Sequence, residues 1–225
     1  MTNFELQLKI KQRVNKLSSY DYDNLECWQI VEAFNKYQRD AIRRLVYKGE
    51  TDKETLEDLQ ILLKEHVIKG SNSKNYFESV TLPSDYVAYK RVDILAEKDS
   101  CLKDDFKTYL VENANISLYL SDALLKPSFE WRETLTTLQG NTLRIYTNDQ
   151  FKIKKATFVY YREPQPITIA GCADISTSGV TTLKDTPCEF KDTFTEKLID
   201  GAAAILAADI ESWNQAQRNQ QSSLT

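Results

Sequence analysis

Histidine is nearly missing from this chain, and so are the residues that usually accompany it in an active site. There is one imidazole, His66, and none of Cys27, Cys101, Cys172 and Cys188 forms a CxxC pair, which argues against a zinc site. Glycine is scarce and scattered. Neither GxGxxG nor GxxxxGK[ST] occurs, so there is no backbone cradle for a nucleotide phosphate. A Ser/His/Asp or Cys/His arrangement would have to use His66, and no GxSxG elbow accompanies it. Beside Val67 and Ile68, at the end of a helical run, His66 reads first as a structural or surface histidine. Long apolar runs are missing as well. The most apolar stretch, "IDGAAAILAADI" at 199–210, falls short of the roughly 20 residues that cross a bilayer. The opening "MTNFELQLKIKQRVNKL" alternates apolar and charged residues and lacks a signal-peptide core. These absences point to a chain made and kept in a cytoplasm, for which four free thiols are expected. Cys172 and Cys188 bracket one loop, so a disulfide between them stays open as an alternative.

What is present is ordinary for a globular protein of 225 residues, with 41% hydrophobic and 28% charged residues. Lys and Arg number 29 against 33 Asp and Glu, a net charge of -4 that argues against a globally basic nucleic-acid binder. Two local basic clusters stand out: Lys9, Lys11, Arg13 and Lys16, then Lys36, Arg39, Arg43 and Arg44. Each reads either as a solvated helix face or as a contact for an acidic partner or phosphate backbone.

The pattern along the chain predicts an α+β fold: N-terminal helices, an antiparallel β-sheet meander and a long C-terminal helix. Residues 3–17 are expected to bury Phe4, Leu8 and Leu17, with Lys9, Arg13 and Lys16 outside. A capping-rich turn, "SSYDYDN", follows. Residues 24–46 carry Leu25, Trp28, Val31, Phe34, Gln38, Ala41, Ile42 and Leu45 at helical spacing. Thr51 and Glu54 form a candidate capping box opening "ETLEDLQILLKE". Strands are expected at "VAYKRVDILAE", "FKTYLVE", "SFEWRETLT", "NTLRIYT" and "FKIKKATFVYYR". The last three read as the meander, joined at "LQGN" and "TNDQ". "NANISLYLSDALL" is ambiguous between helix and irregular structure. The expected organisation is a helical region at 1–65, an antiparallel β domain at 66–162 and an extended arm at 163–190. A C-terminal helix packing with the N-terminal helices follows at 191–217, then a flexible tail at 218–225. Connections beyond about 12–15 residues are usually functional or disordered, which draws attention to the arm.

One enzyme-like pattern survives. Asp85, followed by Asp105-Phe106-Lys107, has the outline of a PD-(D/E)xK nuclease, in which two carboxylates hold a divalent metal and the lysine steadies the scissile phosphate. Ser84 stands where that pattern has proline. Phe158, Tyr160, Tyr161 and Trp131 could serve as a base-stacking platform, although aromatics alternating on strands more often pair across a core.

Four blocks in order, "LPSDYVAYKRV", "KPSFEWRETL", "LRIYTNDQFKIKKATFVYYREPQPI" and "CEFKDTFTEKLIDGAAAILAADIE", carry a resemblance that spans roughly residues 1–215. The chain resembles the tailed-phage head-to-tail adaptors of the tail tubular protein A or connector-ring type, in wording nearest to ring proteins of crAss-like phages. The resemblance implies a virion structural protein of the neck, without an active site or cofactor. It implies a closed ring of twelve copies that extends the portal DNA channel, docks tail components and touches packaged DNA transiently, with no membrane contact. Within that picture Ala203, Ala204, Ala207 and Glu211 are candidate subunit-interface residues on one side of the C-terminal helix, whose other side would seat on the sheet. Lys9, Arg13, Arg39 and Arg43 are candidate lumen or partner contacts. A cytoplasmic protein-binding module is the competing reading.

Overall fold

The computed structural model describes residues 1–17, 25–48, 53–99, 102–174, 180–181 and 184–222. The turn at 18–24, Thr51, Cys101 and the last three residues lie outside that set. The architecture is α+β and divides into two compact units. One comprises Met1–Ile61 with Pro164–Thr225, and the other Leu62–Glu163.

The first unit is helical. It contains α1 (Asn3–Leu17), α2 (Cys27–Lys48), α3 (Lys53–Leu59) and α5 (Asp192–Ser222). In α1 the buried stripe is Leu6, Ile10 and Val14, spaced four apart, whereas Phe4 and Leu8 are exposed. The expected face of α1 is thereby corrected. Two four-residue ladders compete on this helix, and the longer aliphatic one wins because it places Lys9 and Arg13 beside acids of α5. Helix α2 buries Ile30, Ala33, Phe34, Gln38 and Ile42, and Leu25 just before it is buried too, close to the sequence pattern. Helix α5 continues to Ser222, past the boundary at 217, so residues 218–222 are helical. Its buried stripe packs on α1 and α2, as the expected packing with the N-terminal helices has it, and the expected seat on the sheet is corrected. At Gly201 an added Cβ would lie 1.9 Å from the Tyr37 ring, so only glycine lets α2 and α5 approach there.

The arm folds back onto these helices in its described parts. Asn35 of α2 pairs with Ile167 as a strand would, donating to its carbonyl at 3.1 Å and accepting from its N–H at 2.8 Å. Asn3 donates to the carbonyls of Thr168 and Thr186. Thr168 and Thr186 exchange backbone hydrogen bonds, which fold the arm into a loop. A short pair, β9 (Ala173–Asp174) and β10 (Val180–Thr181), lies between them. A disulfide joins Cys27 at the start of α2 to Cys172 in the arm, with Cα atoms 5.6 Å apart, an ordinary spacing for such a bond. The expectation of four free thiols is thereby corrected, and so is the Cys172–Cys188 alternative: Cys188 is free and accepts from the Thr195 hydroxyl.

The second unit is a rolled sheet of eight strands. These are β1 (Leu63–Ile68), β2 (Gly70–Asn72), β3 (Tyr76–Ser79), β4 (Tyr86–Lys98), β5 (Leu102–Leu110), β6 (Glu133–Gln139), β7 (Thr142–Tyr146) and β8 (Lys152–Arg162). Their order is β1-β8-β4-β5-β6-β7-β3-β2. Lys69 alone separates β1 from β2, so the two ends of that order are one broken strand. The Asn72 amide reinforces this corner by exchanging two hydrogen bonds with the Ile153 backbone. Strand β5 forms the opposite corner. Its first half lies antiparallel to β4, and Lys107–Leu110 run parallel to β6. Strands that switch sheets in this way close a sheet around a single core.

The helical reading through Glu65 stops at Leu62; the strand that begins at Leu63 ends on the β-branched pair Val67 and Ile68 and is held by pairing with β8. The hairpin expected at "LQGN" joins β6 to β7, with Gly140 at φ 59°. The "TNDQ" turn has Asn148 and Asp149 both at positive φ, but β8 leaves it to pair with β1 and β4. The third strand of the expected meander therefore crosses to the other side of the roll. The core is aromatic, with Phe106 and Phe151 centroids 4.7 Å apart and Phe158 stacked on Tyr160 at 5.1 Å. These contacts favour the core reading of the aromatic run, since Phe158 and Tyr160 are fully buried.

Candidate functional site

Asp85 sits in the turn that precedes β4 and ties three strands together. Its carboxylate accepts from the Lys64 ammonium of β1 at 2.7 Å and from the Tyr160 hydroxyl of β8 at 2.7 Å. Its backbone carbonyl accepts from the Glu163 N–H at 2.7 Å. Burial pushes the Asp85 carboxyl up, but the Lys64 and Tyr160 bonds outweigh it and hold the group below the usual carboxylate range. Burial first, then the bond to Asp85, pushes the Tyr160 phenol well above its ordinary range. The "LPSDY" turn is thus a structural keystone of the barrel.

The same placement dismantles the nuclease constellation. Asp85 adjoins one end of β4, whereas Asp105 pairs with Leu95 near the other. At about 3.3 Å per residue that is a separation of roughly 30 Å, too far for two carboxylates to share a metal ion. Lys107 stays with Asp105 on β5. Among the described residues no group of three or more His, Cys, Asp and Glu could hold a metal ion. His66 lies on β1, opposite Phe158, and is exposed.

Lys9 and Arg13 are engaged inside the chain. Both pair with the Glu196 carboxylate, and Arg13 also reaches Asp200 at 2.9 Å. The Lys9 bond is the main cause that holds Glu196 below the usual range, with Arg13 adding to it against partial burial. Two of the four expected lumen contacts are therefore spent on α5. Arg39 and Arg43 remain exposed on α2.

Glu196, Asp200, Ala203 and Ala207 share one face of α5 by their spacing, so the ion pairs lay α1 along that face. Ala203 and Ala207 are buried there, and Ala204 is exposed. The close backbone approach expected at these alanines is thus supplied within the chain. Ala203 and Ala207 are corrected as outward interface residues. Ala204 keeps an exposed position, and the Glu211 side chain lies outside the described set.

The surface that sequence reasoning missed is the connection from β5 to β6. It includes α4 (Ile116–Ser121), a helix with no buried residue. Leu118 is 68% exposed, Leu124 87%, Leu125 51% and Trp131 75%. Trp131 precedes β6 in a turn instead of lying on a strand, so it is not part of an aromatic platform with Phe158. The available signal was the ambiguity of "NANISLYLSDALL": apolar residues without a period that any one face could bury.

No protein-family model matches the chain, and no curated protein matches it at a significant level.

Proposed function

We propose that this chain is a virion structural protein, an adaptor that forms a ring in the head-to-tail connector of a tailed phage. The observation that carries the reading is the ordered resemblance of four sequence blocks, one of which contains the Asp85 keystone turn. In this role copies of the chain assemble into a closed ring of twelve against the portal protein and the adjacent neck rings, and extend the DNA channel. A net charge of -4 suits a lumen through which DNA slides without being held. The Cys27–Cys172 disulfide suits a protein made in a host cytoplasm and then carried in a released particle, since virion surfaces are among the oxidising settings where such bonds persist. Among the described residues no helix is long and apolar enough to cross a membrane, and the proposal needs no membrane.

Electron microscopy of the purified virion neck tests this reading. A ring whose density fits both the helical unit and the eight-stranded unit is the expected result. A neck whose rings are all accounted for by other chains overturns it. Mixing the chain with purified portal separates it from a cytoplasmic protein-binding module, which would leave the portal unbound.

A further inference from the structure

We infer that residues 109–132, the end of β5 and its connection to β6, form the surface through which one copy of this chain binds a second copy. The inference deepens the ring reading and rests on it for the identity of the partner. Tyr109, Leu110, Leu118, Leu124, Leu125 and Trp131 are all at least 46% exposed within this one stretch. With an aromatic side chain worth about 150–250 Å² and a leucine about 100 Å², they expose on the order of 500 Å² of apolar surface. That is as large as the largest patch on a typical monomer. It also equals the apolar share, about 60%, of the roughly 800 Å² that each partner buries in a standard interface.

Backbone hydrogen bonds brace the patch. Asn115 accepts from the N–H groups of Leu118 and Tyr119, Asp122 donates to Leu118, and Lys126 donates to Asp122. Val111 is tied to Thr136, and Ser128 exchanges bonds with Glu133. Braced in this way, the connection holds its apolar side chains on the outside of the sheet unit.

Its charge selects the partner's class. Lys126 and Arg132 are its only cations, and Arg132 is paired with Asp104 at 3.0 Å, while Glu112, Asp122 and Glu130 are acidic. Such a surface offers no grip on a phosphate backbone or an anionic bilayer, and it meets another near-neutral protein surface without repulsion. A patch exposed from the moment of folding needs an occupant present in equal amount at that moment, which another copy always is. In a closed ring the patch need not meet itself, because the neighbour offers a different surface.

Sedimentation velocity on the full chain at micromolar concentrations tests this, using wild type, a Leu124→Glu/Trp131→Glu variant and Phe4→Glu as a control exposed elsewhere. The wild type and Phe4→Glu are expected to sediment as assemblies. The double variant should run as a 26.0 kDa monomer, with self-association weakened at least tenfold and an unchanged melting curve. If the double variant loses its fold, Leu124→Gln alone gives the same readout. A wild type that stays monomeric overturns the inference, as does a folded variant that assembles like wild type. Assembly that survives these substitutions leaves the ring reading standing, whereas a neck map lacking this chain removes that reading and leaves the self-association result intact.

Discussion

Residues 163–190 and residues 111–132 both leave a strand and travel far before the next long element. Ile167 in the first is fully buried, whereas Leu124 in the second is 87% exposed. The difference lies in what reaches out to meet them. The arm receives two asparagine side chains and a disulfide from the helices, and Ile167 and Cys172 turn inward. The β5–β6 connection closes its hydrogen bonds on itself and on β6, and nothing in its own unit covers Leu118 or Trp131. Length drew attention to the arm as a functional segment, but a long loop bound at several points is part of its own core. The long loop that exposes apolar surface is the better place to look for a partner.

Breaking the covalent tie should have the largest effect on this contrast. Cys27→Ser, or reductant on the wild type, is expected to remove about 2–4 kcal/mol from the helical unit, because the bond closes a long loop in the unfolded chain. Urea unfolding followed by helical circular dichroism, with and without reductant, measures it. Identical midpoints would show that the arm is held without the bond. Asn35→Ala should follow, at about 2–3 kcal/mol, since it leaves both the N–H and the carbonyl of buried Ile167 without their partner. Loss of protection at the Ile167 amide in hydrogen exchange is the specific readout, and unchanged protection would mean that other contacts hold the arm.

The smallest effect sharpens the comparison through pH. Glu196 is held low when folded, so the stability it lends is present above its unfolded value, about 4.3, and is lost as pH falls toward the folded value. Tyr160 is held high, so its contribution is complete below the ordinary tyrosine value, about 10, and is lost as pH rises beyond it. The helical unit should weaken in acid and the barrel in alkali. Asp85, also held low, gives the barrel an acid response of its own. Glu196→Gln should flatten the acid limb of helical dichroism below pH 4, and Tyr160→Phe the alkaline limb of barrel fluorescence. Limbs that persist in these variants would assign them to other groups.

Local chemistry made much of the fold legible. Phe34, Gln38 and Ile42 mark the inner face of α2 by spacing alone, and Gly140 marks the β6–β7 hairpin by its left-handed backbone. The candidate site was less legible. Lys9 and Arg13 look like free cations until Glu196 is brought beside them across a long stretch of sequence.

The sequence by itself determined the α+β class, the long helices, the five strands β4–β8 and the aromatic core, because periodicity and turn residues act over a few neighbouring positions. Which of two ladders α1 buries, whether β8 pairs with β7, and whether Ala203 faces outward were decided only by tertiary structure. Each depends on a partner far away in the chain: the acids of α5, strands β1 and β4, and the N-terminal helices. No short-range pattern encodes the identity of such a partner.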